Sequence, residues 1–370
     1  MKRLLIAAGG GGDAITAAMV HTALYGADSP ALVLTYAWER LVVDPVPGPR
    51  SVRDFTGIDR VAPEVDLITP ATTPRSPAGS LLPRLSGELG PRLGLLDPYD
   101  GVAGLARRIR AAARWCATDR VDLVDVGGDI VARGDEQTLR SPLGDALAVA
   151  ACAEAGLATT VYIAGPGLDN EVPLPELLPR IGPADFALRA DHTSVVDRVF
   201  DWHPSEASAL LVAAARGIRG VCGTRDAPRP IPLDDAAGGV HRLSLERVLA
   251  LNPLARRLAG TTTLAEAEAA SRAVCGFSEI ARERRRATGS LAGPDDGHAS
   301  GPDDQDVDSV WARFAAWEHD TLAEGIAYVT TRRILEELAL TGDRAHALLD
   351  TLRAAPRTRS AAPLWRLAGT

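Results

Sequence analysis

Lysine is all but missing from this chain: Lys2 is the only one, and arginine supplies the rest of the 40 basic residues. That single absence excludes a P-loop, whose lysine must reach the phosphates. A Schiff-base enzyme would have to use Lys2, at the head of the first strand and away from the carboxyl ends where α/β sheets bind ligands, so pyridoxal phosphate chemistry is not expected. The arginine bias reads as the codon composition of a GC-rich genome rather than as selection for anion recognition. Cysteine is scarce too. Cys116, Cys152, Cys222 and Cys275 form no C-x-x-C pair, which signals neither a zinc knuckle nor a disulfide framework but reduced, mostly buried thiols. No G-x-S-x-G elbow points to a hydrolase triad. Long apolar runs are lacking: the first stops at Ala8 in glycines, too short for a signal segment or a membrane span, so a cytoplasmic protein without a membrane partner is expected. Nor is there excess positive charge, since 48 acidic residues leave a net charge of -8, which argues against broad attraction to nucleic acid.

What is present alternates. Residues 4–8 read as a strand, followed by a glycine turn and a helix at 14–24; further strands are expected at 31–36, 65–69, 121–126 and 159–164. Helices are expected at 101–116 and at 142–155, the latter with Ser141 as N-cap and Pro142 at the first helical position. This alternation predicts an α/β fold with a Rossmann-like doubly wound parallel sheet. The stretch between the second and third strands reads as irregular and residues 70–98 as loop-rich. Beyond residue 171 the pattern turns helical, at 173–181, 205–216 and 243–252. Residues 288–308 hold six acids and almost no apolar residue, the composition of an exposed, mobile linker. It would divide a ligand-binding domain, residues 1–287, from a helical C-terminal extension, residues 309–370. There Trp311, Phe314, Trp317, Leu322, Ile326, Ile334 and Leu338 should dock as a helical hairpin on the body or on another subunit, and a homo-oligomer is expected.

The chemistry concentrates in loops at the carboxyl ends of the expected strands. Gly9, Gly10, Gly11 and Gly12 lead to Asp13, and Gly9-x-Gly11-x-x-Ala14 is the Ala-ended form of a dinucleotide fingerprint between a strand and a helix. Glycines there let backbone N–H groups approach an anion at the helix start. Asp13 beside a phosphate needs a bridging metal, or else caps the helix. Trp38, Glu39 and Arg40 follow the second strand; Glu39 sits where a ribose-binding acid would, or pairs with Arg40 or Arg50. Asp125, Gly127, Gly128, Asp129, Asp135, Glu136 and Ser141 follow the central strand, and Gly165, Gly167, Asp169 and Glu171 the next. Asp129, Glu136 and Asp135 are the candidate catalytic residues, with Asp129 or Glu136 as general base. Asp13, Asp125 and Asp129 are the candidate ligands if Mg²⁺ is bound, although Asp125 and Asp129 could instead brace the turn. His192 and His203 lie outside these loops and read as structural, with Ser205 as a helix cap, and Cys222 reads as a buried thiol.

These motifs, above all Asp125-Val126-Gly127-Gly128-Asp129 with Gly134-Asp135-Glu136 and Ser141-Pro142-Leu143-x-Asp145, resemble the bacterial and archaeal family called domain of unknown function 1152. The resemblance spans roughly residues 1–280. It departs at Asn170, where the family pattern places a glycine between Asp169 and Glu171. It implies a sheet similar to the nucleotide-binding folds of sirtuins and deoxyhypusine synthase, and supplies no reaction. The expected function is a group-transfer enzyme, a transferase, that binds a nucleotide or other phosphorylated small-molecule ligand across these loops, with or without Mg²⁺. Two alternatives stand beside it. One is an aminoacyl-tRNA-dependent transferase, with the arginines of 107–114 and 282–286 gripping tRNA phosphates; the other is a non-catalytic nucleotide sensor.

Overall fold

The computed structural model describes residues 2–225, 229–291, 307–340, 342–354 and 362–367. Its centre is a nine-stranded sheet whose five middle strands, Ala158–Ala164, Arg120–Val126, Arg3–Ala7, Ala31–Tyr36 and Arg92–Leu96, run parallel. Read from the Arg92–Leu96 side and numbered along the chain, these lie in the order 3-2-1-4-5, that of the doubly wound Rossmann-like fold. Val65–Ile68 and Asp59–Ala62 extend one edge antiparallel, and Gly239–Ser244 and Phe186–Ala187 the other.

The strands are apolar on both faces because both faces are covered. Leu4 and Ile6 pack with helices Gly101–Cys116 and Pro142–Ala155 in one core. Their neighbours Leu5 and Ala7 face helices Gly11–Tyr25 and Glu206–Ala215 in the other. The alternation of side chains along a strand divides one run between two cores. Helices Gly11–Tyr25 and Pro142–Ala155 are alanine-rich and buried nearly all round, so small side chains let them lie close to the sheet.

Several elements differ from expectation. Arg92–Leu96 is a central strand inside a stretch read as loop-rich; Gly94 interrupts its pattern because a Cβ there would stand 2.7 Å from Leu34 Cδ2, a close approach that only glycine permits. Phe55–Thr56 and Asp59–Ala62 are short strands in the stretch read as irregular. Gly239–Ser244, read partly as helix, pairs with Ala158–Ala164 before the helix Leu245–Leu251 begins.

The C-terminal region is helical at Val307–Ala323, Thr331–Glu337 and Gly342–Ala354 but is not a plain hairpin. Strands Tyr328–Val329 and Trp365–Arg366 complete a four-stranded sheet with Gly220–Gly223 and Ile231–Leu233, so backbone pairing ties it to the body. Phe314, Ile326, Ile334 and Leu338 join its core, whereas Trp311 stays 39% exposed. Of the expected linker, residues 288–291 finish helix Glu279–Leu291 and residues 307–308 open the next helix. Residues 292–306 lie outside the described residues. No described helix is long and apolar enough to cross a membrane.

Candidate functional site

The strand order reverses between Arg3–Ala7 and Arg120–Val126, and a crevice opens at their carboxyl ends. Two helices start there. Gly10 is the N-cap of Gly11–Tyr25, and Ser141 that of Pro142–Ala155. The first turn of the second helix lies against the loop that leads into the first, since a Cβ on Gly144 would lie 3.6 Å from Gly9 Cα. Each helix start leaves backbone N–H groups without intrahelical partners and carries partial positive charge. The glycine loop is fitted tightly to its walls. A Cβ would meet Trp38 O at 2.8 Å on Gly10 and Ser205 Oγ at 2.6 Å on Gly12, while Gly11 has ordinary contact distances of 3.5 Å or more.

Carboxyl groups line this space. Asp13 sits in the first helical turn rather than at the N-cap, and its Oδ2 accepts the Gly9 N–H. Asp125 comes from the end of its strand, takes the Gly128 N–H, and leaves Oδ2 without a partner. Asp129 opens the short turn Asp129–Val131 behind Gly128, whose φ of 116° favours glycine. Asp145 reaches in from the first turn of its helix with Oδ1 unpartnered. Asp169 packs on Gly127, where any Cβ would collide with its carboxyl at 2.1 Å. Asn170 next to it has φ 55°, the left-handed conformation that explains a glycine in the family pattern and that asparagine tolerates. Glu171 is held by the N–H groups of Arg140 at 2.7 Å and Ser141 at 2.8 Å, and by the Ser141 hydroxyl, which therefore does not cap its own helix.

Burial raises Asp13, Asp125, Asp129, Asp145 and Asp169, and like charge raises the last four further. Asp13 is pushed up to about 7 chiefly by burial, against the Gly9 N–H. Asp169 rises to about 8 by burial and the nearby Glu171. Burial first, then Asp129, Asp13 and Asp169, lifts Asp125 well above the ordinary carboxyl range. Burial likewise leads for Asp129, joined by Asp145 and Glu171, and for Asp145, joined by Asp125 and Asp13. Among the described residues Arg40 is the only arginine lining the crevice. Its charge lowers Glu279 and Glu283, which burial raises.

Several lining residues had no motif to reveal them. His203, read as structural, lines the crevice 8% exposed; its Nδ1 accepts the Ser205 N–H at 3.2 Å and its Nε2 has no partner. Burial drives it down to about 3, so the ring is neutral with its proton on Nε2. Glu279 and Glu283 come from helix Glu279–Leu291, and Glu283 receives Trp38 Nε1 at 3.1 Å and the Gly48 N–H at 2.7 Å. Glu206 also lines it, bound by the Arg225 N–H and by Thr330 of the C-terminal region. Their positions depend on long-range packing. Asp145 stood within a quoted motif and could have been added on helical spacing alone; Ser205, read as a helix cap, lines the crevice too.

Not every residue singled out in the sequence reaches the crevice. Glu136 is outside the crevice. It accepts the Arg133 and Gly134 N–H groups at 2.8 and 2.9 Å and pairs with Arg180 at 2.5 Å. Burial pushes it up, but these donors outweigh burial and hold it below its ordinary value. Asp135 is exposed outside the lining. Gly127, Gly128, Gly165 and Gly167 lie behind the lining and serve through positive φ angles of 112°, 116°, 58° and 81°. Glu39 lines the crevice, held by the Leu81 N–H at 2.9 Å, while Arg50 binds Asp44. The oxygens of Asp13, Asp125 and Asp145 lie within 4.8 Å of one another; Asp145 thus joins the metal-type set in which Asp129 was expected. The arginines read as an alternative grip for tRNA are engaged at several points. Arg107 and Arg108 pair with Glu64, Asp66 and Asp100; Arg284 pairs with Glu268; Arg282 stacks on Phe277. His192 meets Arg189 away from the crevice. Cys222 is buried.

Fold and crevice together define a Rossmann-like α/β protein with an acid-lined site at its switch point. A family model described as protein of unknown function (DUF1152) matches residues 4–287, and the chain belongs to that family. No curated protein and no solved structure matches the chain.

Proposed function

We propose that the chain is a group-transfer enzyme acting on a nucleotide or other phosphorylated ligand, with Asp129 as general base. The observation that carries this reading is the meeting of two long helix starts and a glycine loop at the switch point, the arrangement that supplies backbone N–H groups to an anion. The cavity volume of about 200 Å³ is below the roughly 300–1,000 Å³ of sites that enclose drug-sized molecules. It suits the charged head of a ligand whose remainder lies beyond the rim toward Trp38 and Arg40. Burial and surrounding acids raise Asp129, which makes its ionised form a stronger proton acceptor than an ordinary carboxylate. It would take the proton of the attacking group as the bond to the transferred group forms and the bond to the leaving group breaks.

Calorimetry with a nucleotide panel, with and without Mg²⁺, tests the binding step. Binding by wild type that persists in Asp129→Asn while turnover of the bound compound is lost is the expected pattern. Full turnover in the variant would remove Asp129 from the chemistry, and no binding of any phosphorylated compound would remove the reading.

A further inference from the structure

We propose that Asp13, Asp125 and Asp145 hold a hard divalent cation of the Mg²⁺ or Mn²⁺ class, and that an oxyanion of the ligand completes its coordination beside His203. The cation half stands by itself; the oxyanion half rests on the phosphorylated-ligand reading above. The three carboxylates offer one oxygen each, all within 4.8 Å of one another. They come from three elements that the switch point brings together: the first turn of one helix, the end of the central strand, and the first turn of a second helix. Asp125 Oδ2 and Asp145 Oδ1 are buried without a hydrogen-bond partner. Buried carboxylates are ordinarily paired or metal-bound, because an uncompensated charge away from water is costly.

His203 is an observation independent of the carboxylates. Its Nδ1 is occupied by the Ser205 N–H, so the N–H at Nε2 is free to donate, buried and without an acceptor in the crevice it lines. A ligand oxygen fits both partners: it would bind the cation on one side and accept from Nε2 on the other. The donor set selects the metal. All-oxygen carboxylate ligation suits Mg²⁺, Mn²⁺ or Ca²⁺ and disfavours the soft ions that need sulfur or imidazole. Mg²⁺ in particular is commonly bound by a few carboxylates plus substrate phosphate rather than by a closed protein cage.

Titration of chelator-treated protein with Mn²⁺, followed by the electron paramagnetic resonance of the free ion, is the test. One saturable site that excess Mg²⁺ empties is expected in wild type. Asp145→Asn and Asp125→Asn should each weaken it by about tenfold or more, and the exposed Asp235→Asn should not. Circular dichroism identifies any variant that fails to fold, and the Mg²⁺ competition on wild type then decides alone. Inorganic phosphate should bind the Mn²⁺-loaded protein and not the metal-free one, and His203→Gln should weaken phosphate while sparing Mn²⁺. Absence of a saturable Mn²⁺ site, or its full retention in folded Asp145→Asn and Asp125→Asn, would overturn the cation. Mn²⁺ binding without binding of phosphate or any nucleotide would uphold the cation and overturn the oxyanion, together with the phosphorylated-ligand reading.

Discussion

Asp66 and Asp125 are both buried aspartates on strands of the same sheet, and their surroundings are opposite. Asp66 meets Arg60 at 2.6 Å and Arg108 at 2.7 Å. Burial pushes it up, but the hydrogen bonds and charge of the two arginines outweigh burial and hold the carboxyl below its ordinary value. Asp125 has Asp129, Asp13 and Asp169 as charged neighbours and is pushed far up by burial and by them. Glu136 with Arg180, and Glu268 with Arg272 and Arg284, belong with Asp66. Asp129 and Asp145 belong with Asp125. Guanidinium groups stand beside the acids that brace the fold, whereas the neighbours that raise Asp125, Asp129 and Asp145 at the switch point are other acids. Crowded, buried acids of that kind lower stability, a cost that the proposed binding of a cation and ligand would offset.

The comparison breaks first at the paired acids. Arg180→Ala leaves Glu136 buried without its cation and should cost about 3–5 kcal/mol in urea unfolding; a loss below about 1 kcal/mol would mean that the Arg133 and Gly134 N–H groups suffice. The glycine loop comes next. Gly10→Ala forces a Cβ to within 2.8 Å of Trp38 O and should cost about 1–3 kcal/mol by overpacking, whereas Gly11→Ala, with its nearest contact at 3.5 Å, should melt as wild type does. Equal melting of the two would show that the loop yields. Asp145→Asn should act in the opposite direction, raising the stability of the metal-free protein by on the order of 1 kcal/mol, because a neutral amide removes the cost of holding a buried carboxyl protonated or charged among other acids. A destabilised Asp145→Asn would move Asp145 into the class of Asp66.

The parallel core and the loops at its carboxyl ends were legible because strand, glycine turn and helix repeat in short order along the chain, as at residues 3–25. Arg92–Leu96 was not, because Gly94 answers to Leu34 on a neighbouring strand and leaves no trace in local periodicity. The Gly/Asp motifs led to Asp13, Asp125, Asp129, Asp169 and Glu171, all of which line the crevice. The same reasoning put Glu136 there, because no spacing rule connects it to Arg180 on another element. His203, Glu279 and Glu283 reach the crevice from elements far along the chain, and a sequence without a contact map does not carry that information.

The smallest expected effect is a slope with pH. Asp169 has an ordinary value of 3.8 and a folded value of about 8, so between these values the native state keeps a proton that the unfolded chain has lost. Its contribution to stability therefore falls as pH rises through that window. Paired acids do not interfere above about pH 5, since Asp66, Glu136 and Glu268, held low by their partners, are ionised in both states there. The histidines act with the other sign. Burial lowers His203, His21 and His241 from 6.5, so they favour the native state more as pH rises to about 7 and then level off. Between about pH 7 and pH 8 Asp169 still holds a proton that the unfolded chain has lost, and metal-free wild type should lose stability in urea melts over that interval. Asp169→Asn should lose less. A wild-type stability that stays flat or rises there would mean that the crevice carboxyls are ionised and already compensated, and would remove the distinction between Asp125 and Asp66.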